Sequence, residues 1–273
     1  MHILSSAILM VFLCCLSVSV LAADSSKMSY RQNKIIYQAQ KALEVGDAKQ
    51  CTRIVMQYLD EHEATPYQFY SLLGTCQYQL QDFGAATKAF ATAFSLETKN
   101  AEISSALATS LYLHEDYAAA GQQFAITYQL SAEKDPQLLY QSAVAFYMAQ
   151  DFRQAVTTLK QLLKESNAGD SSWNELLLSC YLELKEWTEA QQHLQQLLQQ
   201  KPEHEPYWRL LAQLYLQQKD YQQAAFAMEI VSRLQPSAAE DLKFLAGLYN
   251  YLNVPVRAAD LLAQAYGPAP LPQ

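Results

Sequence analysis

Five histidines are the first residues to weigh for chemistry, because imidazole can ligate a metal or move a proton near neutral pH. They are His2, His62, His114, His193 and His204. None keeps the spacing that would bring two rings onto one ion. His62 and His204 each sit between glutamates, in Glu61-His62-Glu63 and Glu203-His204-Glu205. Those acidic pairs read as exposed connectors, and solvated surface histidine is the expectation for all but His2. No H-E-x-x-H, G-x-S-x-G, G-x-G-x-x-G or phosphate-cradling loop is present. No metal and no cofactor is expected. Glycan hydrolysis would need two carboxylates opposed across a groove, and only Glu102, Glu175 and Glu183 are candidates for that role.

Cysteine offers the other reactive atoms. Cys14 and Cys15 lie in an apolar leader, which leaves Cys51, Cys76 and Cys180. With no C-x-x-C, neither zinc nor redox chemistry is suggested. Two readings of Cys51 and Cys76 stay open. They fall in neighbouring predicted helices, so a disulfide could clamp them in an oxidising compartment, worth about 3 kcal/mol by loop closure. Alternatively, each is a small buried side chain standing where alanine packs elsewhere. Cys180 has no evident partner and is expected to be buried.

The elements that must position these residues are set by a period. A turn carboxylate, then an aromatic, then a small residue recur as Asp82-Phe83 with Ala86, Asp116-Tyr117 with Ala120, and Asp151-Phe152 with Ala155. Glu186-Trp187 with Ala190 and Asp220-Tyr221 with Ala224 continue the series, the leading residues standing 34, 35, 35 and 34 positions apart. Gly46-Asp47 with Cys51 precedes them in register and Val254-Pro255 with Ala258 follows. A fixed period of that size indicates stacked units, an architecture that usually binds partners and seldom carries out chemistry. Only 7 glycines argue against a strand-rich fold, and the 9 prolines fall between units, in first turns, between the halves of the last unit or in the tail.

Within one unit, Trp208, Leu211, Ala212 and Tyr215 form an apolar stripe at three- and four-residue spacing, predicting a first helix. Lys219-Asp220 makes the turn, and Ala224, Met228, Val231 and Leu234 form the facing stripe of a second helix. These residues, with Pro236, resemble the tetratricopeptide repeat (TPR) pattern. Other units match it through Leu73, Gly74, Ala86, Phe90 and Ala93; through Leu107, Ala108, Ala120 and Phe124; and through Ala143, Phe146, Ala155 and Leu159. A further unit does so through Leu177, Tyr181, Ala190, Leu194 and Pro202. The resemblance implies an all-α, right-handed superhelical solenoid of about seven helix-turn-helix units: 31–65, 66–100, 101–135, 136–170, 171–204, 205–238 and 239–266. The first, with Cys51 for alanine and Val55 for an aromatic, is a degenerate cap. The seventh ends in a Pro-rich tail, 267–273, that cannot cap a helix pair, so a second protomer or another protein is expected to cover it.

In such a solenoid the first helices line a groove. The row Tyr78, Tyr112 and Tyr147 repeats at 34 and 35 residues. Neighbouring groove positions are Tyr37, Gln40, Thr75, Thr109, Tyr140, Gln141, Val144, Gln213, Phe244 and Tyr251. Tyrosine and glutamine suit an extended or helical peptide, although tyrosine here also serves as ordinary packing. TPR domains that grip a chaperone's C-terminal carboxylate use Lys, Arg and Asn, where this chain has Tyr, Gln, Thr and Leu. With 27 Asp+Glu against 19 Lys+Arg and no basic run, nucleic acid and anionic membrane surfaces are not expected partners.

Ile3 to Ala23 carries no charge and ends in small residues, the pattern of a signal peptide (1–23) cleaved near Ala22 or Ala23, followed by a short leader (24–30). An uncleaved inner-membrane anchor facing the periplasm is the alternative. Tyr207-Trp208, Leu211 to Tyr215, Lys219-Asp220-Tyr221, Leu245 to Tyr249 and Val254 to Leu262 resemble exported TPR proteins of Gram-negative bacteria ascribed to TonB systems. That implies a non-catalytic periplasmic adaptor beside TonB, ExbB and ExbD, binding peptide segments of an envelope complex. An assembly factor for pili, secretion or outer-membrane complexes is one alternative; a glycan-binding envelope enzyme is another.

Overall fold

A computed structural model describes residues 28–63, 65–166, 171–235 and 239–266. The segments 1–23 and 267–273, and most of the leader, lie outside the described residues. Among those described there are fourteen helices and no strand. They alternate as first (A) and second (B) helices of hairpins: α1 Tyr30–Glu44 with α2 Ala48–Glu61, α3 Tyr67–Gln79 with α4 Phe83–Leu96, and α5 Ala101–Leu113 with α6 Tyr117–Leu130. Then come α7 Pro136–Met148 with α8 Phe152–Glu165, α9 Ser171–Glu183 with α10 Trp187–Gln200, α11 Glu205–Gln217 with α12 Tyr221–Leu234, and α13 Ala239–Tyr251 with α14 Pro255–Tyr266. No described helix is long and apolar enough to cross a membrane.

Each hairpin turns through one residue of left-handed backbone. These are Gly46, Gln81, Glu115, Gln150, Lys185, Lys219 and Asn253, with φ between 57° and 82°. Only glycine and asparagine among them favour that conformation; each of the others carries a cost of about 1–2 kcal/mol. Hydrogen bonds offset it. In the second hairpin Gln81 N–H donates to Tyr78 O at 2.9 Å and Asp82 N–H to Gln77 O at 3.0 Å, the paired closure of a Schellman turn. The same two bonds recur from Lys219 to Leu216 and from Asp220 to Tyr215.

The recurring carboxylate is the N-cap of the B helix. Asp47, Asp82, Asp116, Asp151 and Asp220 each accept from the backbone N–H three residues on, at 2.9–3.4 Å. This satisfies one of the donors a helix start leaves open. Glu186 occupies the same place without a side-chain cap bond, because its extra methylene carries the carboxylate past the donor.

Two compact units divide the chain, 1–174 and 175–273. Within the first, helices adjacent in sequence from α1 to α8 pack on one another; within the second, α10 to α14 do. Small residues set the closest approaches: Ala108 and Ala120, Ala143 and Ala155, and Ala212 and Ala224 are at most 1% exposed. Gly74 belongs to the same set, since a Cβ there would stand 2.7 Å from the buried Phe90 ring. In the fifth hairpin Leu178, 3% exposed, takes the small residue's place.

In the second unit, Arg209 of α11 donates to Glu205 at 2.7 Å and to both Asp241 oxygens at 2.9 and 3.1 Å, linking α11 to α13. Glu205 is therefore not an exposed connector: it is 9% exposed and paired within the first turn of α11. Arg257 of α14 reaches Glu229 of α12 at 2.8 Å. The last helix buries only Ala258 and Leu261, while Val256 and Tyr266 stand 75% and 66% exposed.

Replacing Asp151 by alanine should lower stability by about 1 kcal/mol, and Glu186→Asp should raise it by about 0.5–1 kcal/mol by creating the missing cap, both read from denaturant midpoints. The Arg209 hydrogen bonds, helped by its charge and opposed by burial, hold Asp241 below its ordinary 3.8. A depressed carboxylate contributes stability above its unfolded pKa and loses it as the pH falls through the folded one. Arg209→Met should thus weaken the second unit at pH 7, and its deficit should shrink on acidification below that ordinary value, as followed by circular dichroism.

Candidate functional site

The turn geometry aims a row of phenol rings in the first unit. Tyr78, Tyr112 and Tyr147 lie in the last turns of α3, α5 and α7. Each meets the aromatic that opens the following B helix edge-on: Phe83 at 5.5 Å, Tyr117 at 5.2 Å and Phe152 at 5.3 Å, with interplanar angles of 64–68°. Edge-to-face pairs of this kind contribute about 0.5–1.5 kcal/mol beyond burial. All three tyrosines are half-buried. Burial pushes the Tyr78 phenol upward, and burial together with the Tyr117 phenol pushes Tyr112 up to about 12. Raised phenols keep Tyr78 and Tyr112 neutral, and all three rings are held edge-on, a combination suited to peptide backbone and apolar side chains.

The other expected groove residues divide. Tyr140 and Gln141 are half-buried early in α7, and Tyr37 on α1 is exposed. Thr75 and Thr109 donate their hydroxyls to Ser71 and Ser105 of their own helices, at 3.0 and 2.9 Å. Val144 is a correction: it is 4% exposed, packed into the core instead of lining a groove. Gln213, Phe244 and Tyr251 belong to the second unit, where all are exposed and the Tyr251 ring leans on Tyr221 at 4.5 Å.

Three histidines depart from the expected solvated surface. His62 stacks on Tyr58 at 4.1 Å, His204 meets Tyr207 edge-on at 4.0 Å, and half-buried His193 lies 6.5 Å from Tyr181. They are packing residues, and the sequence signal was a tyrosine three or four positions away for His62 and His204. His114 is exposed. Glu102, Glu175 and Glu183 are exposed as well. Among the described residues no three His, Cys, Asp or Glu side chains gather as a metal site.

Cys51 of α2 and Cys76 of α3 are joined as a disulfide, with Cα atoms 6.0 Å apart and 25 residues between them in sequence. Both are fully buried, alongside Ala39, Val55 and Phe69. Cys180 is a free, buried thiol, and burial pushes it up to about 12. The Cys51→Ala/Cys76→Ala variant should lose about 3 kcal/mol in denaturant titration, because the bond restricts the unfolded chain. Thiol titration of unfolded, unreduced protein should count Cys180 but neither Cys51 nor Cys76.

Residues 146–214 and 181–248 each match the tetratricopeptide repeat family model. None of the curated proteins matches the sequence. Among solved structures the chain is similar to the C-terminal part of a TPR repeat-containing protein from Cytophaga hutchinsonii, at 17% identity over 86% of this chain and 96% of that one, TM-score 0.52. It is also similar to Naa15/Naa10 bound to HypK-THB, at 15% identity over 88% of this chain and 40% of that one, TM-score 0.56. A tetratricopeptide repeat protein from Parabacteroides merdae aligns over 87% of this chain and 93% of its own, at 17% identity and TM-score 0.47. At such identities the likeness concerns the fold alone. With the helix hairpins, their buried small residues and their recurrent turns, it shows an all-α helix-hairpin repeat fold similar to that of tetratricopeptide-repeat proteins, residues 146–248 carrying the match to the family model.

Proposed function

We propose that this protein is a non-catalytic periplasmic scaffold holding a peptide segment of an envelope complex, beside the TonB, ExbB and ExbD machinery. Tetratricopeptide-repeat proteins are protein-interaction scaffolds. The observation that carries the reading is the tyrosine row of the first unit. Its three rings occupy equivalent places on successive A helices, each held by the aromatic of its own hairpin. Such a row is pre-organised, so a peptide binding there would lose little side-chain entropy from the protein. The export-type leader and the TonB-like stretch 207–262 support the compartment and the pathway. The exposed side of α14 gives a second copy or another protein a further place to pack.

Photo-cross-linking in Gram-negative cells tests this. With Tyr112→p-benzoylphenylalanine, irradiation should yield an adduct to an envelope protein, and Tyr78→Ala/Tyr147→Ala should diminish it. The same probe at Gln122, exposed on α6, should give none. Equal adducts at both positions would remove the row from the account. Retention of the protein in the cytosol after osmotic shock would remove the periplasmic role.

A further inference from the structure

The second unit carries a cleft that the tyrosine row does not involve. It opens between α10 and α12 over α11, with a volume of about 340 Å³, within the range of small-ligand sites. Trp208 and Tyr215 of α11 and Phe226 of α12 shape it, and Gln195, Gln199 and Gln223 edge it. No charged side chain lines it. The Trp208 ring is fixed in place: its indole N–H donates to Pro202 O at 2.7 Å, and it meets Phe226 edge-on at 6.4 Å. Tyr215 is buried beneath, while Phe226, midway along α12, is 56% exposed.

These surfaces suit an uncharged, extended segment rich in proline. Proline rings lie on aromatic faces at small entropic cost, and polyproline II backbone leaves its carbonyls open to glutamine amides. A charged segment would lose hydration there with no counter-charge to replace it. The chain itself contains a segment of the matching kind, Gly267-Pro268-Ala269-Pro270-Leu271-Pro272-Gln273, without a charged side chain. It follows α14 directly, and contacts lead from the end of that helix toward the cleft. Lys243 Nζ stands 4.7 Å over the Tyr266 ring, and Asp241, two residues earlier, binds Arg209, the neighbour of Trp208. Seven residues of polyproline II span about 20 Å, and three residues per turn would set Pro268 and Leu271 on one face.

We propose that the Trp208–Phe226 cleft is a binding site for an uncharged proline-rich segment, and that residues 267–273 of the same chain occupy it. The test places p-benzoylphenylalanine at Phe226 of the full chain, followed by irradiation, trypsin and mass spectrometry. The expected result is an adduct within 267–273 in a monomer-sized band, lost in Pro268→Ser/Pro270→Ser/Pro272→Ser with helix content unchanged. An adduct only in a dimer-sized band, one only to other residues, or one unaffected by the serine replacements would overturn the proposal. A synthetic peptide of sequence GPAPLPQ gives a second readout through tryptophan emission. It should bind the serine-substituted chain more tightly than the parent and lose its signal in Trp208→Phe. Binding to neither form would overturn the site itself.

Discussion

The structure depends on a chain reversal of a few residues, made seven times through one left-handed residue and the capping position after it. At an aspartate turn, three groups of one residue close both helices. The Asp82 N–H returns to the A helix at Gln77, its carbonyl accepts from Ala86, and its side chain caps Ala85. A hairpin so pinned leaves little freedom in how its two helices meet. Small residues such as Ala143 and Ala155 then let the backbones approach, and apolar burial supplies the main driving force. The left-handed cost at Gln81, Gln150 and Lys219 is local; the bonds and contacts it permits extend along both helices.

The same reversal positions the tyrosine row of the first unit. Because the capping residue directly precedes the aromatic that opens α4, α6 and α8, the turn holds that ring against the tyrosine at the end of the preceding A helix. Each ring of the row is therefore held by packing within its own hairpin and is half-buried. In the second unit, Arg209 pairs with Glu205 of its own helix and with Asp241 of the next hairpin, tying successive hairpins together, whereas the aromatic pairs of the first unit close single hairpins.

Repeat length, helix pairing and the alanines at the hairpin contacts, such as Ala108 with Ala120 and Ala143 with Ala155, were legible in the chain, because each hairpin satisfies its own local rules and repeats them. Legibility failed where a residue's role depended on a neighbour distant in sequence. Val144 has the spacing of a groove residue yet is buried, and Glu205 looks like a solvated connector yet is paired with Arg209. The left-handed places were hidden for another reason: glutamine, glutamate and lysine carry no preference for that backbone, and only Gly46 and Asn253 betray it. His62 and His204 read as surface until the tyrosine ring beside each is seen.

By itself, the sequence determined the all-α repeat, its register and its carboxylate turns, since these follow from contacts within one hairpin. Cys51 and Cys76 stayed open as bonded or merely small, and Trp208 and Phe226 were an apolar stripe residue and an unremarked one. Tertiary structure decided both cases. It set two sulfurs on adjoining helices and left two aromatic rings facing a common cleft, arrangements that depend on how hairpins stack. Periodicity specifies each hairpin; the surface between hairpins is specified by side chains some 20 to 35 residues apart, which only the packed structure brings together.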